Sequence, residues 1–235
     1  MSGKFSTAVI LAGGPGNRLK PLTDRIPKAL VEIAEKPLIQ WIIEWCAKNH
    51  VSQIVLGVAH MREKIIEYLG DGSRLGVNIV YSVHTLEGGT GEGFRLAISR
   101  YVDDDAFFAL NGDQITDLSL KDLAEFHLNH DLTATIAMTN PHCPYGHIRT
   151  DEDNNVLEFI EKPPCPYANC STGVYAFNRE ILDFLPQRGD VEKTTFPVLA
   201  ANNRLKVYPF KGIFITVNTH KDLVEAEERL KVIRW

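Results

Sequence analysis

Absent from this 235-residue chain are any long apolar run, any run of lysine or arginine, and any Cys-x-x-Cys pair. Each absence excludes a class of function. A membrane-spanning helix needs about 18 consecutive apolar residues, and the sequence offers none. No apolar segment of the secretory type follows Met1 either, so the chain is expected in the cytoplasm and off the membrane. A formal net charge of −5 without a basic cluster argues against nucleic acid and for a small partner, with a homo-oligomer left open. Three of the four cysteines, Cys143, Cys165 and Cys170, are close in sequence. Their spacing is not that of paired zinc ligands, so reduced structural thiols are expected.

What the chain does carry is concentrated near its start. Ala8-Val9-Ile10-Leu11 reads as a buried parallel strand, and Ala12-Gly13-Gly14-Pro15-Gly16 follows it. Glycines let the backbone turn sharply and bring bare N–H groups against an anion. Arg18 and Lys28 stand at fixed offsets from that turn, and cations on both sides of a loop suit a triphosphate. A dinucleotide fingerprint would need glycine at Leu19, and a P-loop would need Gly-Lys-Ser/Thr where Gly16-Asn17-Arg18 stands. Neither motif is present.

Further on, helices and strands alternate. A helix carries Leu38, Trp41, Ile42 and Trp45 on one face, then come a strand from Ile54 to Ala59, a helix from Arg62 to Leu69 and a strand from Val77 to Ser82. A glycine cluster opens a helix from Phe94 to Tyr101, and the strand Ala106 to Leu110 runs into Asn111-Gly112-Asp113. Asp113 thus emerges at the carboxyl end of a parallel strand, where open α/β sheets bind their ligands, and a hard cation wants such an oxygen. After this come a helix from Ser119 to about His130, a strand from Leu132 to Met138, and a hairpin with arms Tyr145 to Ile148 and Val156 to Ile160. Glu192-Lys193 opens another helix, strands follow at Leu205 to Phe210 and Ile213 to Val217, and Thr219 caps a final helix through Val224, Ala226, Leu230 and Ile233. The pattern predicts one α/β domain over residues 1–235, Rossmann-like, with a mostly parallel mixed sheet flanked by helices and a small antiparallel lobe.

From Leu11 to Lys28 the chain resembles, nearly position for position, the Gly-x-Gly-x-Arg-x-x-Pro-Leu-Thr-x-x-x-Pro-Lys signature of the sugar-1-phosphate nucleotidyltransferases; Asn17 stands where Thr or Ser is usual. The resemblance runs to about Asp222 and implies a nucleotide-binding half over about 1–118 and a sugar-phosphate-binding half over about 119–235. It implies a reaction in which an NTP and a sugar 1-phosphate yield an NDP-sugar and pyrophosphate, with Mg²⁺ as cofactor. Arg18, Lys28 and Asp113 would be catalytic, and Leu11, Ala12, Gly13, Gly14, Gly16, Asn17, Glu87, Gly89 and Thr90 would join Arg18 in binding the nucleotide. Gly146, Glu161, Lys162, Thr172 and Glu192 would bind the sugar phosphate.

The base-reading loop, commonly Pro-Leu-Gly-Thr in the family, here has Glu87-Gly88 before Gly89-Thr90, with Glu92 where a small residue is usual. Carboxylates can accept from the N–H groups of guanine, which favours GTP. Short members most resemble mannose- and heptose-1-phosphate guanylyltransferases, which adds to that preference; UTP, dTTP and CTP are the alternatives. At the family's second metal position Thr216 replaces the usual Asp and Phe214 the usual Trp. Val217-Asn218-Thr219 and the following Asp222-Leu223 resemble the corresponding turn of molybdopterin guanylyltransferases, so Asn218 is expected to join Asp113 at the metal. The competing reading is a protein that binds nucleotides without turning them over. No further domain is expected beyond the terminal helix.

Overall fold

The computed structural model describes residues 4–141, 143, 145–163, 165 and 168–232. Its centre is β1 (Lys4–Leu11), apolar on both sides: Ala8 and Ile10 enter one core and Val9 the opposite one. Such two-sided burial is what a central parallel strand covered by helices requires. Two short strands, β2 (Glu32–Ile33) and β3 (Lys36–Pro37), lead into α1 (Leu38–Lys48), whose Leu38, Ile39, Ile42, Ile43 and Trp45 are buried. Then follow β4 (Gln53–Val58), α2 (Arg62–Leu69), β5 (Asn78–Val83), α3 (Gly89–Tyr101) and β6 (Ala106–Asn111).

The second half contributes β7 (Gln114–Thr116), α4 (Leu120–Leu128), β8 (Ala134–Thr139), β9 (His147–Thr150), β10 (Val156–Ile160) and β11 (Cys170–Asn178). It ends with α5 (Thr195–Ala201), β12 (Leu205–Pro209), β13 (Phe214–Thr216) and α6 (His220–Val232). Seven strands form one sheet in the order β12-β8-β11-β6-β1-β4-β5. All neighbours are parallel except β11, which runs antiparallel to both β6 and β8. Helices α1, α2, α4 and α6 supply one core. On the other face α3 and α5 pack around Phe94, Phe107 and Phe177, each fully buried and worth about 1.5–3 kcal/mol of transfer free energy.

Two expectations are corrected. The helix expected from Phe94 begins at Gly89, because its glycines let it press against a neighbouring loop: a Cβ on Gly91 would lie 2.4 Å from Pro186 Cγ. Gln114 to Thr116 form a strand paired with β13, a contact with no local signal. Val224 is 59% exposed, while Ala226 and Leu230 are buried; Ile233 lies outside the described residues. Among the described residues no helix is long and apolar enough to cross a membrane.

Candidate functional site

The loops that follow β1, β5 and β6 enclose a cavity of about 280 Å³. It lies at the carboxyl ends of the strands, where the chain order reverses around β1, the place such sheets reserve for ligands. Leu11, Ala12, Gly13 and Gly14 form one wall. Among the described residues no backbone hydrogen bond takes up the N–H groups of Gly13, Gly14 or Gly16, so the loop offers these three as donors, while the Ala12 N–H is bonded to the Gly57 carbonyl. Gly16 has φ +66°, its carbonyl accepts from the Thr23 hydroxyl at 2.9 Å, and a Cβ there would lie 3.0 Å from Lys28 Cβ. Only glycine lets the loop fold down onto Lys28 in this way. Asn17 and Arg18 follow on an exposed turn of 3₁₀ helix.

At the mouth of the cavity four polar side chains converge. Lys28 Nζ donates to Asp113 Oδ2 at 2.7 Å and to Asn218 Oδ1 at 2.8 Å, and Arg18 Nη2 donates to the same Asn218 oxygen at 3.0 Å. Asn218 arrives from far along the chain through the β7–β13 pairing, and the Val217 N–H donates to the Asp113 carbonyl at 3.0 Å. The start of α6 then fixes it. Asp222 Oδ2 accepts from the Asn218 and Thr219 N–H groups at 2.9 and 2.8 Å, while Thr219 Oγ1 accepts from the Asp222 N–H. This reciprocal arrangement is a capping box with Asp in place of Glu.

The opposite wall comes from the loop after β5. Gly89 and Thr90 line the cavity; Glu87 is exposed at the loop tip. Glu92 is used differently from a base reader: its Oε2 accepts from the Thr85 N–H at 2.9 Å and hydroxyl at 2.7 Å. Those Thr85 bonds hold its carboxyl below the usual range and brace the loop. Thr90 Oγ1 donates to Glu192 Oε2 at 3.0 Å and accepts from the Val191 N–H at 2.9 Å, so the structure brings Glu192 to the rim of the nucleotide loop.

The remaining residues of the sugar-phosphate set lie apart from the cavity lining. Gly146 sits against Phe159 and the Glu161 carboxylate. Lys162 forms an ion pair with Glu225 of α6 at 3.5 Å. Thr172 takes a different part from the one expected: it is buried, and its hydroxyl donates to the Ala137 carbonyl at 2.9 Å, inside the sheet.

Among the cavity residues that sequence reasoning passed over are His84, Asn111 and Asp190. His84 is the first residue beyond β5, and burial pulls its pKa down, with Glu92 opposing, so the ring is neutral near pH 7. The strand-end rule that found Asp113 would have found it too. Asn111 belongs to the same Asn-Gly-Asp run as Asp113, and its Oδ1 is buried without a partner among the described residues. Asp190 had no signal; it is carried in by the Gly91 N–H bonding to the Gly189 carbonyl at 2.8 Å. Lys193, hydrogen-bonded to it at 2.9 Å, holds the Asp190 carboxyl below the usual range.

Known proteins resemble this chain over most of its length. Residues 7–231 match the nucleotidyl transferase family. The mannose-1-phosphate guanylyltransferase catalytic subunit beta of Dictyostelium discoideum is 38% identical over 225 residues, covering 93% of this chain and 63% of that protein. The mannose-1-phosphate guanyltransferase of Saccharomyces cerevisiae is 37% identical over 226 residues, again 93% of this chain and 63% of the relative. The crystal structure of HddC from Yersinia pseudotuberculosis has a TM-score of 0.73 at 25% identity, covering 95% of this chain and 99% of that one. The chain thus spans a little under two thirds of the length of these curated relatives. With the match running through both halves of the sheet, the chain belongs to the nucleotidyl transferase family.

Proposed function

We infer that this chain transfers a guanylyl group from GTP to a sugar 1-phosphate such as mannose or heptose 1-phosphate, releasing pyrophosphate. The observation that carries the reading is the meeting of Lys28, Arg18, Asp113 and Asn218 at the mouth of a cavity walled by free amides. A sugar-phosphate oxygen attacks the α-phosphorus of the NTP in line, the bond to the β-phosphate breaks, and pyrophosphate leaves. Positioning and electrostatic stabilisation carry such a transfer without a covalent enzyme nucleophile. The Gly13, Gly14 and Gly16 amides and Arg18 hold the β- and γ-phosphates. Lys28 reaches between the phosphates of the two substrates. Gly89, Thr90 and the neutral His84 face the nucleoside, and Glu87 stands at the loop tip beside it. Glu192 reaches the sugar from the Thr90 side, with Gly146, Glu161 and Lys162 on the lobe and the backbone around Thr172 completing the sugar-phosphate site.

The donor set at this mouth fits a hard divalent cation: the Asp113 carboxylate and the Asn218 amide oxygen are both oxygen ligands, and the unpartnered Asn111 oxygen belongs to a residue lining the same cavity. Asp113 and Asn218 would hold Mg²⁺, which when bound neutralises phosphate charge. The preference for GTP rests on relatives named as guanylyl- and guanyltransferases, since Glu92 is committed to Thr85. A cytoplasmic setting suits these substrates.

The test is a matrix. Purified protein with Mg²⁺, each NTP and a panel of sugar 1-phosphates should release pyrophosphate fastest with GTP. Silence across the matrix, with nucleotide still raising the melting temperature, would favour a protein that binds without turnover.

A further inference from the structure

We propose that Cys143, His147 and Cys165 bind a zinc ion, with Cys170 placed to supply the fourth ligand, and that this metal fastens the open end of the β9–β10 hairpin. The two sulfurs and one ring nitrogen lie within 4.8 Å of one another. A tetrahedral zinc with bonds of about 2.3 Å to sulfur and 2.0–2.1 Å to nitrogen sets its ligand atoms about 3.6–3.8 Å apart, so rotamer adjustment alone would close the site. Spacing in the sequence hid this set, because the ligands come from two segments that only the fold brings side by side.

The backbone prepares that approach. The Cys143 N–H donates to the Pro163 carbonyl at 2.8 Å and the Cys165 N–H to the Pro141 carbonyl at 3.0 Å, an antiparallel pairing of the two chains leaving the hairpin. His147 opens β9 and pairs with Ile160, the last residue of β10. The chain then turns back, with the Ala168 N–H on the Cys165 carbonyl and Asn140 Nδ2 on the Ala168 carbonyl, both at 3.0 Å. Cys170 begins β11 in register with Thr139. Thiols lose their protons to solvent when a metal binds.

The hairpin has need of such a fastening. Every residue of β9 and β10 is exposed, and an isolated two-stranded hairpin is marginal in water. The ligands bracket Gly146 and the Glu161-Lys162 pair, so the metal would set the positions of the residues given to the sugar phosphate. Zinc here is structural, since the thiol-rich set favours zinc over the hard cation suited to Asp113.

The readouts need no turnover. The full chain, reduced and freed of metal, is titrated with Zn²⁺ alone and separately with Co²⁺. We expect about one equivalent bound, tetrahedral cobalt absorption with a thiolate charge-transfer band, at least twofold slower alkylation of Cys143 and Cys165 but not Cys46, and slower hydrogen exchange across 147–160. Cys143→Ser and Cys165→Ser should abolish binding, and His147→Ala should weaken it at least tenfold. Cys170→Ser should shift the cobalt spectrum; an unchanged spectrum would overturn that residue's part. Absence of Zn²⁺ binding by the wild-type chain, or thiol reactivity indifferent to Zn²⁺, would overturn the site. So would a Cys143–Cys165 disulfide that re-forms in preference to metal binding under glutathione buffer.

Discussion

The nucleotide loop and the β9–β10 hairpin, to which the proposed reaction assigns its two substrates, are built on opposite principles. The loop hangs from β1 and β6, whose side chains are buried in two cores, and each cationic residue at its mouth has a hydrogen-bonded place. The hairpin has no core of its own, and its apolar residues Ile148, Val156, Leu157 and Phe159 all face outward. Phosphates can be held by fixed amides and charges, which a rigid scaffold supplies. The proposed sugar side rests instead on a thin two-stranded element whose residues are all exposed.

Substitutions can break or sharpen this contrast. The largest effect is expected from Phe94→Ala, beneath the nucleotide loop, which should lose about 3–5 kcal/mol by denaturant titration, while Leu157→Ala in the hairpin should stay within about 0.5 kcal/mol. Equal losses would erase the distinction.

Acid should act through the buried core of the second half. Burial, then the charges of His130 and Lys4, pulls His127 from 6.5 down to about 4, against the favourable contact of Asn178. The unfolded chain therefore binds this proton first. The contribution is full above pH 6.5 and falls as pH drops toward 4, by about 3 kcal/mol at most. In His127→Gln, stability measured between pH 7 and 4.5 should show a flatter slope than wild type.

Gly91→Ala should cost about 1–3 kcal/mol by pushing α3 off the Pro186–Gly189 loop, and should weaken GTP binding with it. The smallest effect belongs to Glu92→Gln. Losing the charge on the Thr85 bonds should cost no more than about 1 kcal/mol and lower GTP affinity only a few-fold, without changing the preferred base. A switch of base would return Glu92 to the role of reader.

Much of the nucleotide side was legible because local rules governed it. A strand, a glycine turn and cations at set offsets need no distant partner, and Leu11 to Lys28 folds accordingly. Asp113 was legible from its strand end. The Lys28–Asn218 contact, the antiparallel insertion of β11 and the arrival of Asp190 depend on pairings across long stretches of chain, which no window of sequence reports. Thr172 shows the complementary failure: a motif position says which residue is present and not which way its side chain turns, and here it turns into the sheet.

The central claim is that Lys28, joined to Asp113 and Asn218, carries the phosphate chemistry. Its most direct test is the single-turnover rate of Lys28→Ala with saturating GTP and the best sugar 1-phosphate, beside the nucleotide Kd of the same variant. The expected result is a rate lower by about 10²–10³ with Kd changed less than about tenfold. A wild-type rate at saturating GTP would contradict the account.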